Sequence, residues 1–357
     1  MEDFVFLCVV GGRFLLPLLI PRFPLPAIIA CLVLDAADQS IFQAFGYDPP
    51  GYQNYDKAMD IFYLAIAYLS TMRNWENLGA YKVARFLFFY RLVGAFLFEM
   101  THVRAVLLIF PNTFEYFFIA YEAIRTRWSP ITYLTRWWIW LAAIIWIFVK
   151  LPQEWWLHIA ELDVTDTLEE YWWAWPVMIA GIVAIIAFLW FVARPKLGPT
   201  THTWQLESGP VPAEVDTAAE LAALRVKGGW VLSWMTLEKV VLVGLISVIY
   251  AQILPGFDQS TLRTFVSVGV LIVVNAAITV AFSRREWTIE SAGLAVLARL
   301  ATNVVLVFAA DRLLGNGAAG WDTFFFLCLI SLITTLHDRY QPVLAYRESE
   351  AAAAKPA

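Results

Sequence analysis

Asp35 and Asp38 stand three residues apart in the apolar run AIIACLVLDAADQSIF, and Gln39 follows directly. On a helix these side chains share about one face, and paired carboxylates there can bind a small cation or take up and release protons. A second run, FPNTFEYFFIAYE, carries Asn112, Glu115 and Glu122. The seven-residue spacing of its glutamates puts them within ~20° of one another around a helix. A third, RFLFFYRLVGAFLFEMTHVR, holds Arg91 and Glu99, with His102 and Arg104 at its far end. Arg299 and Asn303 lie four apart in ARLATNVV. An ionisable group at mid-membrane costs roughly 2.5–3.5 kcal/mol on insertion scales and marks a functional position by default. Asp35, Asp38, Glu99 and Glu115 face only Arg91 and Arg299 at comparable depth, so acids outnumber bases. The surplus requires protons, water or a bound cation. The bland alternative is mutual neutralisation, in which the charges fix helix register without any ligand.

The elements that position these groups follow from composition. The chain has 357 residues, of which 60% are hydrophobic and 15% charged, and its mean hydropathy is +0.64; soluble domains carry roughly 25% charged residues. Apolar runs near spanning length recur at about 4–20, 25–45, 58–72, 86–100, 105–124, 134–150, 174–193, 236–254, 263–282, 290–312 and 322–337. Without the alternation of a membrane β-barrel, these predict an all-α polytopic membrane protein of ten or eleven spans. The first run contains Gly11, Gly12, Arg13 and Pro17 and is expected to bend or re-enter. Most lysines and arginines, from Arg22, Arg73 and Arg125 to Arg339 and Arg347, fall on one side if the N-terminus is outside and the C-terminus inside. That is the positive-inside arrangement. It implies a multi-pass protein of the bacterial inner membrane, in contact with the lipid bilayer.

Four parts are expected: a membrane bundle over 1–193 with the buried acids, a cytoplasmic linker over 194–229 with a short helix at TAAELAALRVK, a four-helix membrane part over 230–340, and a disordered tail over 341–357. Residues 150–173, acidic and rich in tryptophan, predict one amphipathic helix lying at the interface of an outer loop. By depth, Asp60 belongs at the rim, and Pro111 breaks the fifth run where the acids gather. Arg299 needs a partner, and the acids of the second and fifth runs are the expected ones, which would bridge the two halves.

Several motifs define other chemistries. Asp35-x-x-Asp38 resembles one piece of the aspartate-rich motifs of membrane prenyltransferases and CDP-alcohol phosphotransferases, in which paired aspartates hold Mg²⁺ on a pyrophosphate. The remaining aspartates, glycine and arginine of those motifs are absent here. Asp48, Asp56 and Asp60 in GYDPPGYQNYDKAMD fit an outer-face transferase acting on a lipid-linked polyprenyl or phospholipid substrate. Cys8, Cys31 and Cys328 lie in apolar runs and make no disulfide or zinc framework. IIAC at 28–31 resembles a lipoprotein cleavage box, but Arg13, Arg22 and prolines interrupt the run before it. No nucleotide-binding or nucleophile-elbow motif occurs, and neither composition nor motif points to nucleic acid. The leading expectation is a transporter or channel-like protein for a small cation or protonatable solute. Its binding residues would be Asp35, Asp38, Glu99, Asn112, Glu115, Arg91, Arg299 and Asn303, with no metal site and no cofactor identified. A membrane transferase and a non-catalytic subunit of an envelope complex or homo-oligomer are the alternatives.

Overall fold

A long apolar segment must pair its own backbone N–H and C=O groups, and the α-helix does so within one segment. The computed structural model describes residues 2–46, 52–160, 170–188, 194–217, 234–253, 292–314 and 321–354, together with 167, 190–191, 220 and 273. Within them the regular structure is all helix, with no strand. The helices are α1 (Glu2–Leu15), α2 (Pro24–Ala44), α3 (Tyr52–Asn74), α4 (Leu78–Thr101), α5 (Ala105–Ile109), α6 (Thr113–Arg125), α7 (Thr135–Ile145), α8 (Leu151–His158), α9 (Ala174–Phe188), α10 (Trp234–Ile253), α11 (Ala292–Leu314) and α12 (Trp321–Ala353). The ninth apolar run, 263–282, and the linker helix expected at 217–227 lie almost wholly outside the described residues.

Among the described residues, two stretches, Pro24–Ala44 and Thr135–Trp156, are long and apolar enough to cross a membrane, and only 28% and 22% of their apolar windows are buried. Helices α3 and α4 have comparable length, 23 and 24 residues. They are less apolar because each carries charged residues, such as Asp56, Asp60 and Arg73 on one and Arg85, Arg91 and Glu99 on the other. Helix α3 is the centre of the bundle. It packs against α1, α2, α4, α10 and α12, and Phe62, Ile66, Tyr68, Leu69 and Met72 on it are fully buried, as is Trp75 just after its end. The segments on either side of the linker therefore pack into one another.

The fifth run is broken, as the missing N–H of Pro111 demands. Helix α5 stops at Ile109 and α6 starts at Thr113. The carbonyls freed at the break find donors on α4: the Tyr90 hydroxyl donates to Ile109 at 2.9 Å and Arg91 Nη1 to Phe110 at 3.2 Å. Gly94 lets α4 come this close, since a Cβ there would lie 2.1 Å from the Phe110 Cβ.

Two expectations are corrected. Residues 151–158 form no separate interfacial helix: α7 runs through a π-helical turn, Trp146–Lys150, into α8. That turn directs Lys150 and Glu154 into the protein, where both are buried. The tail is helical as far as Ala353 rather than disordered from 341. It is anchored because Val343 packs against Val215, and Arg347 Nη1 donates to the carbonyls of Met72 and Trp75, which α3 leaves unpaired at its C-terminus.

Candidate functional site

Helices α1 and α2 are antiparallel neighbours joined by a short connection, which brings Arg13 opposite the acids of α2. On α3, Asp56, Asp60 and Tyr63 recur at i, i+4 and i+7 and so share one face. The result is a guanidinium surrounded by four carboxylates. Arg13 Nη1 donates to Asp38 Oδ2 at 2.5 Å and to Asp56 Oδ1, while Nη2 donates to Asp60 Oδ1 at 2.6 Å and to Asp35 Oδ1. Four negative charges meeting one positive charge leave a formal net of −3 over these five side chains. Arg13 and Asp38 are buried, but 41% of the Asp60 side chain is accessible. The Asp56 side chain is 37% accessible, so the cluster is open to its surroundings on the α3 side. Ligand oxygens of Asp35, Asp38 and Asp56 lie within 4.8 Å of one another, a spacing that a metal ion can bridge.

Behind this cluster lies a second polar group, held at the break. Tyr63 donates its hydroxyl hydrogen to Glu115 Oε1. Asn112 Nδ2 donates to Glu115 Oε2 at 2.9 Å, and the backbone N–H of Asn112 donates to Glu154 Oε1 at 3.1 Å. Lys150 Nζ is 3.9 Å from Glu115 Oε2, 3.1 Å from Gln153 Oε1 and 4.3 Å from the centre of the Tyr116 ring. Tyr63, Asn112, Glu115, Lys150 and Glu154 are buried, and Tyr116 and Gln153 are half-buried. The Asn112 Oδ1 and Thr113 Oγ1 atoms, also buried, have no hydrogen-bond partner.

Beyond Glu115 the interior becomes aromatic. Phe114, Phe117, Phe118, Tyr121, Trp75 and Trp138 are buried to within 1% of full enclosure, with Tyr121 stacked 3.7 Å from Trp75. This layer separates Glu115 from Glu122, two turns along α6. Glu122 accepts from Trp75 Nε1 at 2.7 Å and from Arg125 Nε at 2.5 Å.

The residues singled out from the sequence therefore fall in four places. Asp35 and Asp38 meet at Arg13; Asn112 and Glu115 meet at Lys150, with Arg91 nearby holding the carbonyl of Phe110. Glu99 sits apart, 3.5 Å from Lys57. Arg299 and Asn303 belong elsewhere. Arg299 pairs with Asp338 at 2.7 Å, where Lys239 also binds at 2.7 Å, and Asn303 Nδ2 donates to Ser331 Oγ at 2.9 Å. The expected bridge from Arg299 to the acids of the second and fifth runs is thus not made, because α11 packs on α12. The two parts of the chain are bridged instead by Arg85 and Glu238 at 2.9 Å, with the Tyr68 hydroxyl donating to the same carboxylate at 2.5 Å.

Sequence reasoning missed Arg13, Tyr63 and Lys150. The short α1–α2 connection was the available signal for Arg13, since it forces antiparallel packing. Tyr63 was legible only as a residue seven positions after Asp56, and Lys150 looked like the end of a span. No protein-family model matches the chain, and no curated protein or solved structure is significantly similar to it.

Proposed function

We propose that the chain is a multi-pass membrane protein of ten or eleven spans that moves a small cation or a protonatable solute, using the acids around Arg13 as its binding site. The single observation that carries this is four aspartates converging on one guanidinium, with Asp56 and Asp60 partly accessible. Such an arrangement is stable only when protons or a cation offset the excess charge. Its occupancy must therefore change with pH or cation concentration, which is what a carrier site requires. The break at Phe110–Asn112 supports the same reading, since irregular backbone at membrane depth is tolerated where it is buried in protein or lines a cavity. Exposed Ile29, Val33, Ile139, Trp140, Ile147 and Phe148 on α2, α7 and the π turn give the outer surface the apolar character that lipid demands. Arg73, Arg85, Arg125 and Arg347 lie towards the opposite end of the bundle from the aspartates. The positive-inside rule then puts the aspartates outside and the C-terminus in the cytoplasm.

Purified protein in liposomes loaded with ion-sensitive dyes tests this. The natural chain should carry one of H⁺, Na⁺, K⁺ or a divalent cation, and Asp35→Asn with Asp60→Asn should reduce that flux by about 100-fold. Unchanged flux in the double variant would remove these acids from the pathway.

A second reading rests on the 4.8 Å spacing of the Asp35, Asp38 and Asp56 oxygens. A divalent cation held there could orient the phosphates of a lipid-linked substrate in a transferase. Turnover of polyprenyl-phosphate or phospholipid donors, without ion flux, would favour it.

A further inference from the structure

The polar contacts do not end at Arg13. Along α3, Asp60 is followed one turn later by Tyr63, whose hydroxyl reaches Glu115 at the start of α6. We propose that Tyr63 and Glu115 form a proton relay from the aspartate cluster to a buried exchange pair, Glu115–Lys150, so that the species moved is the proton. This rests on the transport reading above and names its substrate.

The second site is not merely a group of acids. It has a phenol, an amide, an ammonium and a carboxylate in contact, and it carries an independent sign of a missing ligand. Asn112 is 9% exposed and its amide is already bonded to Glu115, yet its Oδ1 has no partner. The adjacent Thr113 Oγ1, 1% exposed as a residue, is in the same position. Buried polar atoms left open in this way are characteristically satisfied by internal water. Water at this point supplies the mobile hydrogen-bonding partner that proton exchange needs. The π turn adds to this: such turns are rare and occur frequently at functional sites, and this one ends at Lys150.

The groups facing Glu115 are Cys31 and Asp35 of α2, Tyr63 of α3, Arg91 of α4, Lys150 and the Glu154 of α8. The step balances as follows. A proton on the Asp60 carboxyl passes through water to a lone pair of the Tyr63 hydroxyl. The phenolic proton leaves at the same time for Glu115 Oε1, and rotation of the new O–H restores the phenol. Glu115 becomes a neutral carboxylic acid, and the Lys150 ammonium balances its charge again once the proton has moved on. The aromatic layer of Phe114, Phe118, Trp75 and Tyr121 closes the way towards Glu122 in this structure. Release on the far side therefore requires that layer to open.

The test uses full-length protein in liposomes with an internal pH dye and a potassium diffusion potential, run beside parallel assays of Na⁺, K⁺ and Ca²⁺ uptake. Proton flux should fall by about 100-fold in Glu115→Gln and by about 10-fold or more in Tyr63→Phe. Glu115→Asp should recover part of the loss. Infrared difference spectra across the pH range should lose one carboxylic-acid C=O band in Glu115→Gln and shift it in Tyr63→Phe, a readout that a purely structural role would not move. Proton flux that survives both substitutions in folded protein overturns the relay and leaves the transport reading standing. So does uptake of a metal cation without protons. Absence of flux for every ion overturns the transport reading and the relay with it.

Discussion

At the acidic end of the bundle, Asp35, Asp38, Asp56 and Asp60 crowd onto the single guanidinium of Arg13. At the basic end the balance reverses. Glu122 has Arg125 and Trp75 to itself, Glu238 has Arg85 and Tyr68, and Asp338 takes two cations, Lys239 and Arg299. Buried donors even outlast their acceptors there: Arg125 Nη2 and Arg127 Nε have no partner. The same residue types thus serve two purposes. A carboxylate with its own donors fixes packing. Carboxylates that must share a donor cannot all be ionised cheaply, since neighbouring like charges each disfavour the charged form. On the transport reading, it is the second arrangement that answers to protons or cations in the medium, and its Asp56 and Asp60 side chains are partly accessible.

That contrast is broken most sharply at its two arginine-centred sites. Arg13→Gln leaves four aspartates without their central cation and should cost about 3–5 kcal/mol, the penalty for uncompensated buried charge. Acidic pH should relieve the loss by neutralising the carboxylates, which unfolding in detergent across a pH series would reveal. Glu122→Gln should cost about 3 kcal/mol for a related reason, as it leaves the Arg125 guanidinium buried without its carboxylate. Asp38→Asn removes one of four crowded charges and should change stability by only about 1 kcal/mol or less while abolishing flux. Equal destabilisation by Asp38→Asn and Glu122→Gln would show that the acidic end is a packing device like the other.

A smaller effect tests the break that carries Glu115. Gly94→Ala puts a methyl group 2.1 Å from the Phe110 Cβ, so α4 and the 110–112 turn must separate. A cost of about 1–3 kcal/mol is expected for such overpacking. Flux should fall with it, because the Tyr90 and Arg91 bonds to the freed carbonyls depend on that approach. Wild-type flux and stability in Gly94→Ala would mean the break tolerates displacement and does not position Glu115.

Much of the helical layout was legible because apolar runs of spanning length have few alternatives to the helix. Pro111 announced the break, since a proline inside a helix removes a hydrogen bond wherever it sits. The partners of the charges were less legible, because pairing is a property of packing and not of sequence distance. Arg299 looked available to the acids of α2 and α6, yet α11 packs on α12 and meets Asp338. Lys150 looked like a residue at a span's end, until a π turn rotated it inward. The helical tail was hidden for a different reason. Its alanines and charges resemble a solvated terminus, yet Leu344 joins the main core, Val343 meets Val215, and Arg347 binds the carbonyls of Met72 and Trp75.

The gentlest probe lies on the linker, where even a surface carboxylate has its own donors. Glu220 Oε2 accepts from the backbone N–H of Thr217 at 2.9 Å, and the Glu220 N–H donates to Thr217 Oγ1 at 3.2 Å. These reciprocal bonds are those of a helix-starting capping box. The Thr217 N–H, then its hydroxyl, hold the Glu220 carboxyl below the ordinary glutamate value. A lowered value in the folded protein means a contribution present above the unfolded pKa and lost as pH falls through the folded one. Thr217→Ala should therefore bring the Glu220 midpoint back up towards that of a free glutamate, followed by NMR titration of the side chain. Flux by way of the aspartates should not change. If it does, the linker and the aspartates are coupled, and the division between a fixed end and a responsive one fails.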